Sequence, residues 1–172
     1  TTSDCEADAE EVNGLVVIEA ESINVTTGWV NSTAVNGFTG NGYLDWQGSD
    51  SFSTPGKGKI STKIKINTPG TYLFQWRNKV GEGTNSTESN DSWLRFPDAD
   101  DFFGKKGSSI IYPTGSGKNP NPEGAGSNGW FKVFLSGTTK WTWSSLTSDN
   151  DAHTLYVKFD KPGIYTMELS GR

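Results

Sequence analysis

Ile60, Thr62, Ile64 and Ile66 occupy alternate positions, and Ser61, Lys63, Lys65 and Asn67 occupy the positions between them. A period of two sends the two sets to opposite faces of an extended chain, which predicts a half-buried antiparallel strand. The run stops at Pro69-Gly70 and restarts through Tyr72, Phe74 and Trp76, again on alternate positions. The same order returns near the end: Leu155, Val157 and Phe159 alternate into Pro162-Gly163, and Tyr165 follows. Proline holds φ at about −65° and glycine tolerates the positive φ of a type II turn. Each copy therefore predicts a strand, a tight turn and a second strand paired with the first.

Further strands are expected over 15–21, 92–96, 130–135, 140–144, 154–159 and 164–169. No long stretch carries apolar residues at the spacing of a helix face. Residues 97–129 are expected to form a long irregular segment. Its Asn119-Pro120-Asn121-Pro122 run cannot enter a central strand, because proline lacks the ladder donor. Short strands divided by Gly, Asn, Ser and Pro predict an all-β, two-sheet antiparallel β-sandwich. Residues 1–13 are expected to be a polar leader and 14–172 one domain.

Length fits that organisation: 172 residues suffice for one domain with a proper core. The formal net charge is −5, and no basic face is visible, so a nucleic-acid partner is not expected. No run of eighteen apolar residues occurs, so no membrane span is expected. The single cysteine, Cys5, cannot form a disulfide within the chain. The chain starts with Thr rather than Met, which is expected of a mature or excised segment of a secreted protein. Asn24, Asn31, Asn85 and Asn90 open sequons of the glycosylation type, in a chain rich in the residues that create them by chance.

Aromatic residues dominate the candidate chemistry: seven Trp, nine Phe and five Tyr. Tyr72, Phe74 and Trp76 share a strand face and read as core, as do Trp93 and Trp130 inside strand-like runs. Trp29, Tyr43, Trp46, Trp141 and Trp143 lie beside turn-forming residues, where ligand contact and core packing are both open. An indole or phenol on a loop rim offers a flat apolar face with a polar edge. That combination matches a sugar ring, which is apolar on one face and hydroxylated around its rim. Tyr43-Leu44-Asp45-Trp46-Gln47 brings such a mixture together, and Arg77, Asn90 and His153 are further polar candidates. Asp98, Asp100 and Asp101 resemble a carboxylate pair, but their loop spacing establishes no catalytic geometry and reads more simply as a solvated acidic turn. With one histidine, no Gly-x-Ser-x-Gly elbow and no Cys partner, neither a zinc site nor a nucleophile elbow is indicated.

Three segments together carry a family likeness. Ile18-Glu19-Ala20-Glu21, Gly70-Thr71-Tyr72-Leu73-Phe74-Gln75-Trp76-Arg77 and Pro162-Gly163-Ile164-Tyr165-Thr166-Met167-Glu168-Leu169 resemble the family 6 carbohydrate-binding modules and their family 35-like relatives. The resemblance implies a jelly-roll β-sandwich, usually attached to secreted polysaccharide-degrading enzymes. It implies a structural calcium held with the help of Glu19 and Glu21, whose carboxylate oxygens suit a hard cation. It also implies a loop-end sugar site using Tyr43 or Trp46 with Trp141 or Trp143, and in some members a second site on the concave sheet face. Family members continue past the counterpart of Ser170-Gly171-Arg172 into a last strand with a calcium-ligating Asp; the resemblance therefore implies that this segment was lost or cleaved, that another chain supplies it, or that this branch lacks it. The functional expectation is a monomeric, non-catalytic module that binds β-glucan or agar-type galactan and serves a catalytic domain. Two other readings stand beside it: a small glycan-active enzyme using Asp98, Asp100 or Asp101 with Asp45 or Glu82, and an adhesive β-sandwich with every Trp buried.

Overall fold

The computed structural model describes residues 6–85, 88–121, 126–135, 139–147 and 151–172. Cys5, the Ser86-Thr87 part of the Asn85 sequon, and Asp149 and Asn150 beside His153 lie outside them. In chain order the strands are β1 (Ala9–Glu10), β2 (Trp29–Ser32), β3 (Tyr43–Trp46), β4 (Ile60–Ile66), β5 (Gly70–Leu73) and β6 (Asp91–Arg95). They continue with β7 (Asp101–Lys106), β8 (Ser109–Ile111), β9 (Phe131–Phe134), β10 (Leu146–Thr147), β11 (His153–Phe159) and β12 (Gly163–Ser170). The only helical element among the described residues is a 3₁₀ turn, Ala20–Ser22. No helix there is long and apolar enough to cross a membrane.

Ten strands form one mixed sheet in the order β1-β4-β12-β6-β9-β10-β11-β7-β8, with β5 also paired to β11. A separate two-stranded sheet joins β2 to β3. In the large sheet, β10 is only two residues long and links β9 on one side to β11 on the other. The strands on either side of it supply one shared core. Ile64, Ile66, Leu94, Phe131 and Val133 come from the β4-β6-β9 side, and Phe102, Ile111, Leu155, Val157 and Phe159 from the β7-β8-β11 side. The nearly all-β, sandwich-like character follows from this shared core.

The two Pro-Gly turns work differently from the expectation. β4 does not pair with β5, nor β11 with β12; instead β4 pairs with β12 and β5 with β11. Each turn thus crosses from one side of the core to the other. The register sets Gly163 opposite Ile66 and Gly70 opposite Phe159, so the crossings lie side by side. Neither Gly70 nor Gly163 takes a positive φ, which excludes the type II turn. The tyrosine two residues on explains the motif better. Tyr72 Oη donates to the Thr68 carbonyl at 2.6 Å, and Tyr165 Oη donates to the Lys161 carbonyl at 2.8 Å. Each ring arches back over its glycine, where a Cβ would stand 3.9 Å from Tyr72 Cε2 and 3.6 Å from Tyr165 Cε2. Phe159 fits between the two tyrosines, with ring centroids 5.7 Å from Tyr72 and 4.4 Å from Tyr165. Burial raises both phenol pKa values first, and nearby carboxylates add to the effect.

Three other segments depart from the expectation. The leader is bound into the fold from Asp8 onward: Asp8 and Glu11 donate their N–H groups to Lys63 and Lys65 carbonyls, and β1 lies parallel to β4. Glu11, 2% exposed, accepts the N–H groups of Gly14, Asn67 and Thr68. The Gly14 bond leads in holding its carboxyl below the usual range, opposed by burial and helped by the bonds from Thr68 and Asn67. Residues 15–21 form no strand; Val16 and Ile18 pack on the core and Leu15 and Val17 face out, but no neighbour supplies a ladder. Residues 97–129 contain the β7-β8 hairpin, closed by Lys106 opposite Ser109. The acidic turn before it is structural. Asp98 accepts the Thr166 N–H and hydroxyl, Asp100 accepts the Asp160 N–H, and Asp101 pairs with Lys118 at 2.8 Å.

Because each tyrosine hydroxyl has one partner at a crossing, Tyr72→Phe and Tyr165→Phe should each destabilise the fold by about 0.5–1.5 kcal/mol. Urea denaturation checks this; two variants as stable as the parent would mean that the hydroxyl bonds contribute nothing.

Candidate functional site

The small β2-β3 sheet carries the aromatics that the sequence places on a loop rim, and it treats them unequally. Trp46 lies opposite Trp29, with ring centroids 5.1 Å apart. Trp29 is 8% exposed and its indole N–H donates to the Gly58 carbonyl at 2.7 Å. Trp46 occupies a slot walled by Gly28, Gly48, Gly58 and Gly171, since a Cβ added at any of them would collide with its ring atoms. Its Nε1 is buried without a hydrogen-bond partner. Trp46 is therefore a packed element that closes the small sheet against the end of β12, with limited surface left for a ligand.

Tyr43 and Trp141 form the other aromatic pair, their ring centroids 5.2 Å apart in an edge-to-face arrangement. The Tyr43 hydroxyl accepts the Val35 N–H and the Ser32 hydroxyl, both at 3.1 Å. Trp141 Nε1 donates to the Asn36 carbonyl at 2.9 Å, and Arg77 Nη2 donates to the next carbonyl, Gly37, at 2.7 Å. The Arg77 guanidinium stands 5.3 Å from the Trp141 ring centroid, a cation–π contact. Gly37 is required there: a Cβ would come within 2.9 Å of Trp141 Cδ1, and its φ is +95°. One loop between β2 and β3 is thus gripped at adjacent carbonyls by an indole and a guanidinium.

These residues open onto a cleft of about 630 Å³, within the ordinary range of ligand sites. Tyr43, Asp45, Trp46, Arg77, Asn90 and Trp141, six of the eight sequence candidates, line it. Trp76 contributes to its wall, and so do Asp91 and Arg172, an ion pair at 2.7 Å. Asn90 is fixed by bonds in both directions with the Leu135 backbone. Asp45 receives the Gln47 amide at 2.9 Å. Side chains around the cleft include the carboxylates of Asp45, Asp50, Glu82, Glu88 and Asp91 and the cations Arg77, Lys79 and Arg172. The acidic groups are the more numerous, five against three.

The other two candidates lie elsewhere. Trp143 is 58% exposed but does not border the cleft. No strand forms over 140–144; only a bridge between Asn78 and Thr142 does, so alternate residues there need not share a face. His153 is fully buried, its Nδ1 donating to the Asp151 carbonyl at 2.6 Å and its Nε2 2.9 Å from the Ser109 hydroxyl. Its place was legible, because it continues the inward alternation of Leu155, Val157 and Phe159. Trp93, read from the sequence as core, is 3% exposed and donates its indole N–H to the Ser51 carbonyl.

Glu19 and Glu21 converge at the far end of the β2-β3 loop. Glu21 Oε1 accepts the Asn41 N–H at 2.6 Å. A Cβ on Gly40, whose φ is +67°, would be 3.0 Å from Glu19 Oε2 and would collide with Glu21 Oε1. The two carboxylates thus form a cradle around a residue without a side chain. Among the described residues no third acidic, His or Cys side chain joins them in a group that could hold a metal ion, so a cation here would need backbone or water oxygens to complete its shell.

Sequence reasoning missed Phe52 and Arg172, which border the cleft. The only signal was a lone aromatic in the Ser-, Gly- and Asp-rich stretch 48–58. None of the family models, curated proteins or solved structures compared with this chain matches it.

The Trp46 slot makes a direct forecast. Gly48 has no positive φ, so Gly48→Ala tests space alone, and overpacking should lower stability by about 1–3 kcal/mol. Adding Trp46→Leu should then cost less than it does in the parent, measured as a double-mutant cycle by denaturation. Strict additivity would sink the slot.

Proposed function

We propose that this chain is a non-catalytic polysaccharide-binding module of the kind its sequence resembles, with a jelly-roll arrangement of its strands. In this reading it is secreted, acts as a monomer, and brings a polysaccharide-degrading catalytic domain to its substrate. The supporting observation is the convergence of Tyr43, Trp141 and Arg77 with Asp45 and Asn90 on one cleft. Those residues combine an aromatic wall held at fixed orientation with directed polar groups, the pairing a sugar ring requires. The excess of carboxylates around the cleft disfavours sulfated or uronate-rich polymers. Neutral β-glucans or agar-type galactans are the preferred ligands.

In the same reading Glu19 and Glu21 hold a structural calcium. Its chemistry there is to neutralise two convergent carboxylates and tie them to the β2-β3 loop. That loop bonds Glu21 at Asn41, Trp141 at Asn36 and Arg77 at Gly37, so ordering one end steadies the other.

A glycan array on the intact chain, followed by titration of the best ligand, tests the cleft. Trp141→Ala should weaken binding roughly tenfold or more with the circular dichroism unchanged; an array with no hit would remove the reading. Calcium should raise Tm, by the equivalent of about 2.7 kcal/mol at a hundredfold excess over Kd, and Glu21→Gln should abolish the rise. A Tm indifferent to both calcium and exhaustive chelation would rule out the metal.

A further inference from the structure

A second cavity, about 240 Å³, adjoins the cleft and is lined by Phe52, Ser53, Trp93, Ser127, Lys132 and Arg172, among others. Phe52 and Arg172 border both spaces, so the two are neighbours that meet at these side chains. The smaller one falls below the size range of independent ligand sites, whereas an extension of the cleft need hold only part of a ligand.

We propose that the glycan site continues past Arg172 into this cavity and that Phe52 is the stacking surface at the junction. This rests on the reading of the cleft as a glycan site. The aromatics fare differently here than on the small sheet. Trp29 is buried and Trp46 is caged by glycines, but Phe52 is 60% exposed. Its ring is also supported. The Arg172 guanidinium sits 5.2 Å from the Phe52 centroid and 5.4 Å from the Trp93 centroid, and is anchored by the 2.7 Å ion pair to Asp91. An exposed phenyl ring braced by a fixed cation is presented at low entropic cost to a partner with an apolar face. Ser53 and Ser127 bring hydroxyls to the lining beyond it, suited to sugar hydroxyls. The ligand is accordingly an oligosaccharide stretch long enough to cover both spaces, with contacts that accumulate along its length.

Calorimetric titration with gluco-oligosaccharides and agaro-oligosaccharides, from disaccharide to hexasaccharide, tests this on the whole chain. The parent should bind longer members progressively more tightly. Phe52→Ala should flatten that gain, with a loss of roughly tenfold at the hexasaccharide, and Phe52→Tyr should restore it. Because the ring is exposed, Tm should stay at the parent value. If Phe52→Ala keeps the full length dependence while Trp141→Ala loses binding, the extension is overturned and the cleft reading stands. A parent that binds no member of either series, and nothing on the array, overturns both.

Discussion

Two short links, residues 67–69 and 160–162, each join strands that lie on opposite sides of one core. Because β4 pairs with β12 and β5 with β11, the links must run next to each other, and neither side can slide without breaking both ladders. Phe159 is held between Tyr72 and Tyr165 at this point, and each tyrosine hydroxyl returns to its own link. Glu11 reinforces the first link from outside by accepting the N–H groups of Asn67 and Thr68. The remaining strands attach to a scaffold whose two sides are already facing each other.

At the other end of β12 a different constraint applies. Trp46 needs four glycines around it, and one of them, Gly171, directly follows β12. The small sheet is thereby docked through backbone rather than through interlocking side chains. Docking there puts Tyr43 and Asp45, on the same short strand, beside Trp141 and Arg77 from distant loops. The cleft is thus a product of where the small sheet is anchored, and the β2-β3 loop beside it is pinned at Asn36, Gly37 and Asn41 by groups from three separate segments.

Buried charge is handled conservatively throughout. Glu168, on the outer face of β12, is 5% exposed, and burial alone would raise its carboxyl pKa. Hydrogen bonds and ion pairs with Lys59 and Arg95 outweigh that and hold the group ionised below the usual range. Arg95 in turn covers the buried Trp130 ring at 4.6 Å. The pattern of paired carboxylates on this face contrasts with the cleft, where Asp50, Glu82 and Glu88 stand around an open space.

Alternation along the chain already set which side chains turn inward in β4 and β11. The alternation of Ile60, Ile64 and Ile66 and of Leu155, Val157 and Phe159 survives intact in the core, and His153 obeys the same parity. The sequence also determined that the chain must break at both Pro-Gly pairs. These properties are local, because the faces of an extended backbone depend only on its own pleat. Partner choice is not local. The type II hairpins read from Pro69-Gly70 and Pro162-Gly163 became crossings because ladders with strands far along the chain took the place of the nearest neighbour. For the same reason residues 15–21 alternate correctly yet form no strand. Among the rim aromatics, neighbours in sequence could not separate Trp46, caged by glycines at the edge of the cleft, from Trp141, which lines the cleft and is pinned to the β2-β3 loop, or Trp143, which does not border it. Their fates depend on glycines and carbonyls brought from elsewhere in the chain, and only the folded arrangement supplies those.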